Sequence, residues 1–197
     1  MDKQIEYSFY HWGPFLYKTT LTDDELKNIN MLCKKDEKKD CRDTLAGLIR
    51  HEYKIDEKKL FEILLPYLKS YLQAALNHYG LPNSGKLNLV SAWVNYMTKF
   101  ESNPIHDHDG DLSFVIFTEV PDNLIKEINE TVSNNSKPGA ICFINDANTK
   151  KNFITAHNFT PEIKDLFIFP AALSHCVNSF KSEGERISVS GNVVIEK

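Results

Sequence analysis

Long apolar runs are missing from this chain of 197 residues. No stretch approaches the roughly 20 apolar residues that a membrane-spanning helix needs, and the opening Met1-Asp2-Lys3-Gln4-Ile5-Glu6 lacks the apolar core of a secretory signal. A cytoplasmic protein without a membrane partner is expected. Positive charge is not in excess either: 23 Lys and Arg stand against 27 Asp and Glu, a formal net charge of -4. The global field therefore repels polyanions, and without a Lys/Arg stripe the chain is a poor fit for duplex nucleic acid. Cysteine is scarce. Cys33, Cys41, Cys142 and Cys176 form no CxxC pair, which argues for reduced structural thiols rather than a disulfide framework or a zinc knuckle. The sequence shows no internal repeat and no low-complexity tract.

What is present suffices for a core. Hydrophobic residues make up 42% and charged residues 25%, ordinary values for a globular domain, and a single domain over residues 1–197 is expected. Residues 1–85 read as a mainly helical N-terminal buttress. Its helices begin after an aromatic segment (Tyr7, Phe9, Tyr10, Trp12, Phe15) expected to be a strand or a wrap on the core. Thr22 and Glu25 form a capping box ahead of Leu26, Ile29 and Leu32. Asp56 to Tyr79 carries Leu60, Leu64, Leu68 and Leu72 at helical spacing and is closed by Gly80, with Pro66 expected to kink or split it. The mixed charges of Lys34 to Asp43 predict a solvated helix face or loop.

Residues 86–197 change period. Lys86 to Phe100, Leu112 to Val120, Ala140 to Ile144, Phe153 to Ala156, Leu166 to Phe169 and Arg186 to Ile195 are short Val/Ile/Phe/Tyr/Trp-rich runs between turn-forming clusters. An insertion over 121–139 opens with a helical pattern at Pro121. The expected fold is mostly β with N-terminal helices, a double-stranded β-helix of the jelly-roll, cupin-like kind; an α+β domain with an open sheet is the alternative.

Chemistry concentrates in Asn103-Pro104-Ile105-His106-Asp107-His108-Asp109-Gly110. In an extended chain residues i and i+2 share a face, so His106 and His108 can hold one metal ion while Asp107 points away. A third ligand must come from elsewhere, and His175 is the candidate, following Phe167-Ile168-Phe169-Pro170. Strand alternation places Arg186 and Ser188 on one face, and likewise Trp93 and Asn95. Trp93 is expected to pack in the core, and Phe114 and Ile116, inward if alternation holds, to be pocket wall or core; His157 is expected at the surface, and Cys176 off the metal face as a buried thiol.

The order His-x-His, Phe-Pro-x-x-Leu-x-His, Glu-Arg-Ile-Ser, with Trp93-Val94-Asn95 before it and Ser190-Gly191-Asn192 after, resembles the iron(II)- and 2-oxoglutarate-dependent oxygenases, in particular their small bacterial and phage members. The resemblance covers residues 87 to 195. It implies a dioxygenase, or hydroxylase, that binds Fe(II) through His106, His108 and His175 and takes 2-oxoglutarate and O2 as small-molecule co-substrates. The co-substrate carboxylate would meet the bidentate fork of Arg186, with Ser188 as a neighbouring donor and Asn95 as a buried amide in need of a partner. Oxidative decarboxylation of 2-oxoglutarate would be coupled to hydroxylation of a peptide or small molecule, peptidyl proline being the first candidate. The familiar motif carries Asp or Glu where His108 stands. A three-histidine centre has one negative charge fewer, and Asp107, Asp109 or Asp111 could compensate as hydrogen-bond partners; alternatively, a bulge before Gly110 would turn Asp109 inward as the ligand in place of one histidine. Two rivals remain: a cupin-type three-histidine dioxygenase that needs neither 2-oxoglutarate nor Arg186, and a non-enzymatic jelly-roll binding module that holds no stoichiometric iron.

Overall fold

The computed structural model describes residues 13–80, 85–133, 136–145 and 156–196. Among the described residues, ten strands form two antiparallel sheets. The larger, in the order β1-β8-β5-β10-β3-β2, is built from β1 (Tyr17–Thr20), β2 (Glu52–Lys54), β3 (Lys86–Met97), β5 (Leu112–Glu119), β8 (Asp165–Pro170) and β10 (Arg186–Glu196). The smaller, in the order β4-β9-β6-β7, takes β4 (Asn103–His106), β6 (Ile141–Ile144), β7 (Ala156–Phe159) and β9 (His175–Val177). Two facing sheets with alternating membership along the chain are the double-stranded β-helix expected from the sequence.

Period-2 alternation divides the large sheet between two cores. On β8, Leu166 and Ile168 pack under the helices, while Phe167 and Phe169 point between the sheets. On β5, Val115 and Phe117 face the inter-sheet core and Ile116 the helical one. Both faces are therefore buried, which explains why these strands read as unbroken apolar runs. Ile116 is core, as expected, but on the helix side.

The helical layer is α1 (Asp23–Leu32) and α2 (Glu57–Tyr79). The Thr22–Glu25 capping box forms as the sequence predicts. On α2, Asp56 caps the start, Gly80 closes the end at φ 66, and Leu60, Leu64, Leu68, Tyr71, Leu72 and Ala75 are buried. Each fully buried leucine is worth about 1.5–3 kcal/mol, which fixes the helix on the sheet. Pro66 does not split α2. It is exposed, and the Glu62 carbonyl it leaves without a helical partner is on a solvent-facing residue.

The N-terminal part is less helical than its sequence suggests. It supplies β1 and β2 to the large sheet, and Lys34 to Asp43 folds into 3-10 turns at Glu37–Lys39 and Arg42–Thr44 tied to β2 by an Asp40–Tyr53 bridge. The insertion helix, α3 (Asp122–Glu130), starts from Pro121. Of the aromatic segment, Phe15 packs 5.6 Å from Tyr71; Tyr7, Phe9, Tyr10 and Trp12 lie outside the described residues, as do His11, most of the predicted strand Phe153 to Ala156 and part of the loop after α3. No helix among the described residues is long and apolar enough to cross a membrane.

Candidate metal centre and co-substrate pocket

Pairing between β4 and β9 sets His106 directly opposite His175. His108 follows in a turn pinned by its own backbone N–H, which donates to Ala171 O at 3.0 Å, and by Ala171 N–H to Asp111 O at 3.0 Å. Gly110, at φ 100, makes this turn possible; a β-carbon there would meet Val193 O at 3.1 Å. The three rings converge, with centroid distances of 4.3 Å (His106–His175), 5.0 Å (His106–His108) and 5.0 Å (His108–His175). Their ligand atoms all lie within 4.8 Å of one another, close to the roughly 4 Å that two metal–nitrogen bonds of about 2.1 Å can span.

Tautomers follow from the neighbours. His106 Nδ1 donates to Pro104 O at 2.7 Å and His175 Nδ1 to Leu173 O at 3.0 Å. A carbonyl can only accept, so each Nε2 keeps its lone pair for a ligand. Burial, reinforced by the neighbouring rings, pushes His108 down to about 3 and His175 down to about 4, so both are neutral at physiological pH. The partners that orient His106 and His175 are thus backbone carbonyls and not carboxylates: Asp111 instead accepts from Ile195 N–H at 2.7 Å, and Asp107 and Asp109 line an outer cleft.

Behind the histidines lies a small buried cavity lined by Trp93, Asn95, Asn103, Phe114, Arg186, Ser188 and Ser190 together with the triad. Register explains its composition. Asn95 is opposite Ser188, and Trp93 opposite Ser190, so alternate residues of β3 and β10 form polar rows on the inner face. Arg186 is only 2% exposed. Its guanidinium lies 4.5 Å over the Phe117 ring, Nη1 faces Met97 Sδ at 3.6 Å, and Nε has no partner. Burial draws the group down to about 9, so it stays cationic at neutral pH. A buried cation without a carboxylate is costly, and an anion is the partner its environment lacks. Asn95 Nδ2 donates to Ser188 Oγ at 3.4 Å, and Asn95 Oδ1 is left without a partner.

The outer cleft, about 410 Å³, is lined by Leu45, Lys54, Glu57, Asp107, Asp109 and Asn192 and shares Trp93, His106 and His108 with the inner cavity. The triad therefore sits at the junction of two compartments. All six residues expected in the site, His106, His108, His175, Arg186, Ser188 and Asn95, are brought together; His157 is exposed on β7, and Cys176 turns away as a half-buried thiol opposite Cys142. Trp93 is a wall of both compartments rather than core alone. Ser190, Asn103 and Lys54 were not anticipated. The Arg186–Ser188 alternation already pointed to Ser190; Asn103 and Lys54 left no signal, because β4 carries a register irregularity between Asn103 and His106 and β2 is only three residues long.

Residues 91–192 match a family model described as "Putative 2OG-Fe(II) oxygenase". The chain belongs to the 2OG-Fe(II) oxygenases. As an enzyme of this family it uses iron, 2-oxoglutarate and O2. Solved structures agree on the fold. A Pseudomonas putida prolyl-4-hydroxylase superposes with a TM-score of 0.57 at 12% identity, covering 92% of either chain. The viral collagen prolyl hydroxylase of Paramecium Bursaria Chlorella virus-1, in complex with 2-oxoglutarate, gives 0.56 at 13% identity over 90% of this chain and 94% of that one. HygX from Streptomyces hygroscopicus, with nickel, 2-oxoglutarate and hygromycin B bound, gives 0.53 at 10% identity over 92% and 82%. No curated protein is matched.

Proposed function

We propose that His106, His108 and His175 hold the ferrous ion, that Arg186, Ser188 and Asn95 bind 2-oxoglutarate, and that the substrate hydroxylated is a prolyl residue of a peptide entering by the outer cleft. The observation that carries this reading is the buried, unpaired guanidinium of Arg186 in the cavity behind the three histidines. Three imidazoles on one side would leave the remaining positions of an iron ion open, and the family's chemistry there couples decarboxylation of 2-oxoglutarate to hydroxylation of a carbon. The protein's part is positional. Arg186 offers a planar fork to the distal carboxylate, Ser188 Oγ and the Asn95 amide supply neutral hydrogen-bonding groups, and Phe117 and Phe169 keep the pocket dry. No acid or base is required of the chain, in keeping with the lowered values of His108 and His175.

The peptide reading is supported by the cleft's volume, about 410 Å³, beside His106 and His108, and by the prolyl hydroxylases among the similar structures. Purified protein supplied with Fe(II) should convert 2-oxoglutarate to succinate slowly alone and several-fold faster with a proline-containing peptide, which gains one oxygen atom by mass spectrometry. Stimulation by aminoglycosides or free amino acids but not by prolyl peptides would replace the substrate assignment. No succinate under any condition would remove the whole reading.

A further inference from the structure

One buried carboxyl near the pocket has no role in the site described above. Glu52 is 1% exposed, and its Oε2 has no hydrogen-bond partner. Its position is set by register: Glu52 stands opposite Asn95 on β3, and Asn95 opposite Ser188 on β10. Directly opposed residues share a face, so Glu52 continues the polar row of the co-substrate pocket. Asn103 Oδ1 is also buried without a partner, although Asn103 lines that pocket beside His106, His175 and Arg186. Both side chains border Gly47. A β-carbon on Gly47 would lie 2.5 Å from Asn103 Oδ1 and 2.7 Å from Glu52 Oε1, so both oxygens flank the space that the glycine leaves open.

Two acceptors that border one space attract only if one carries a proton, and an amide oxygen carries none at neutral pH. We propose, building on the assignment of the 2-oxoglutarate pocket, that Glu52 is a positioning residue: as the neutral acid it shares its proton with Asn103 Oδ1 and so directs the Asn103 amide N–H donors toward the bound co-substrate. The surroundings favour the neutral form. Burial first, and then the like charge of Glu101, push Glu52 up to about 7, Asp40 adding to this and Arg42 opposing it. Cys41 stands beside it on the 3-10 turns, and Lys54 shares its strand face toward the cleft. Glu101 itself accepts from the Arg50 and Thr98 N–H groups and lies 3.7 Å from Arg50 Nε. Ionised, Glu52 would have no donor from Asn103 Oδ1, would attract the amide N–H groups away from the pocket, and would set a negative charge near a dianion.

The test is calorimetric titration of 2-oxoglutarate into anaerobic Fe(II)-loaded protein from pH 6 to pH 8.5, a range in which the ligand does not titrate. Wild-type Kd should rise about fivefold or more with pH, the worth of one hydrogen bond. Glu52→Gln, whose amide donates at every pH, should hold the low-pH Kd throughout. Asn103→Ala should bind about fivefold more weakly and lose the pH dependence. A Glu52→Gln profile that climbs like the wild type, or an affinity as poor as that of Glu52→Ala, would overturn the proposal. Tight but pH-independent wild-type binding would overturn it while leaving the pocket assignment standing; no binding at any pH would overturn both. Should Glu52→Ala not fold, Glu52→Gln and Asn103→Ala still decide.

Discussion

Arg186 and Phe117 form a cation–ring pair 4.5 Å apart, and among the described residues no carboxylate approaches the guanidinium. Such an arrangement costs the free protein stability, since a charge has left water without an opposite charge to meet. It is intelligible as a site held ready for a ligand anion.

Arg186→Met should therefore separate stability from function. Met97 already lies against the guanidinium, so a thioether fits there. Metal-free Arg186→Met should melt several degrees higher than wild type, and added 2-oxoglutarate should no longer raise its Tm. Arg186→Lys, which offers a point charge instead of a fork, should bind 2-oxoglutarate about tenfold more weakly. Differential scanning fluorimetry with and without the co-substrate reads all three proteins.

Metal stoichiometry distinguishes the histidines from the aspartates around them. His106→Ala, His108→Ala and His175→Ala should each lose bound iron, whereas Asp107→Asn and Asp109→Asn should retain one ion per chain, because those carboxylates line the cleft and not the triad. Elemental analysis after anaerobic reconstitution checks this. Loss of iron in Asp109→Asn with retention in His108→Ala would exchange the two residues' roles.

The pH dependence of the metal-free protein has a definite sign. His108 and His175 are held at about 3 and about 4, below the usual histidine value near 6.5. The folded chain thus binds fewer protons than the unfolded one below that pH. The stability these rings lend is complete above about pH 6.5 and is lost as pH falls toward 4. Measured against a His108→Gln/His175→Gln double variant, which cannot titrate there, the wild type should lose Tm progressively from pH 7 to pH 5. A constant difference would mean that the two rings protonate normally.

The legible parts of the molecule were those with local signals. The α2 helix announced itself through leucines at four-residue spacing, an Asp cap and a closing glycine, and α1 through its capping box. The six candidate site residues could be picked out because short motifs and strand alternation mark them, and the fold brings them together. The strands β1 and β2 were not legible. They are four and three residues long with Lys, Thr and Glu among them, and pairing with β8 and β3, far along the chain, makes them strands. Pro66 misled because its effect depends on which side of the helix faces water. Glu52 gave no warning, since its burial comes from tertiary packing alone.

Gly191 links packing to the site. A β-carbon there would meet Ser91 O at 2.5 Å and the Phe114 ring at 2.7 Å, and Phe114 lines the inner cavity. Gly191→Ala should cost about 1–3 kcal/mol of stability in chemical denaturation, the price of overpacking, and displace Phe114 enough to weaken 2-oxoglutarate binding. An unchanged midpoint would show that the strand has room the distances deny.

The Fe(II) and 2-oxoglutarate assignment is tested most directly by one titration: anaerobic Fe(II) protein with increasing 2-oxoglutarate, followed in the visible spectrum. Wild type should take up one iron per chain and develop a weak charge-transfer band that saturates with the co-substrate, while Arg186→Ala should bind the same iron but need at least about tenfold more 2-oxoglutarate. Iron uptake with no band at any concentration, or an identical band in Arg186→Ala, would contradict it.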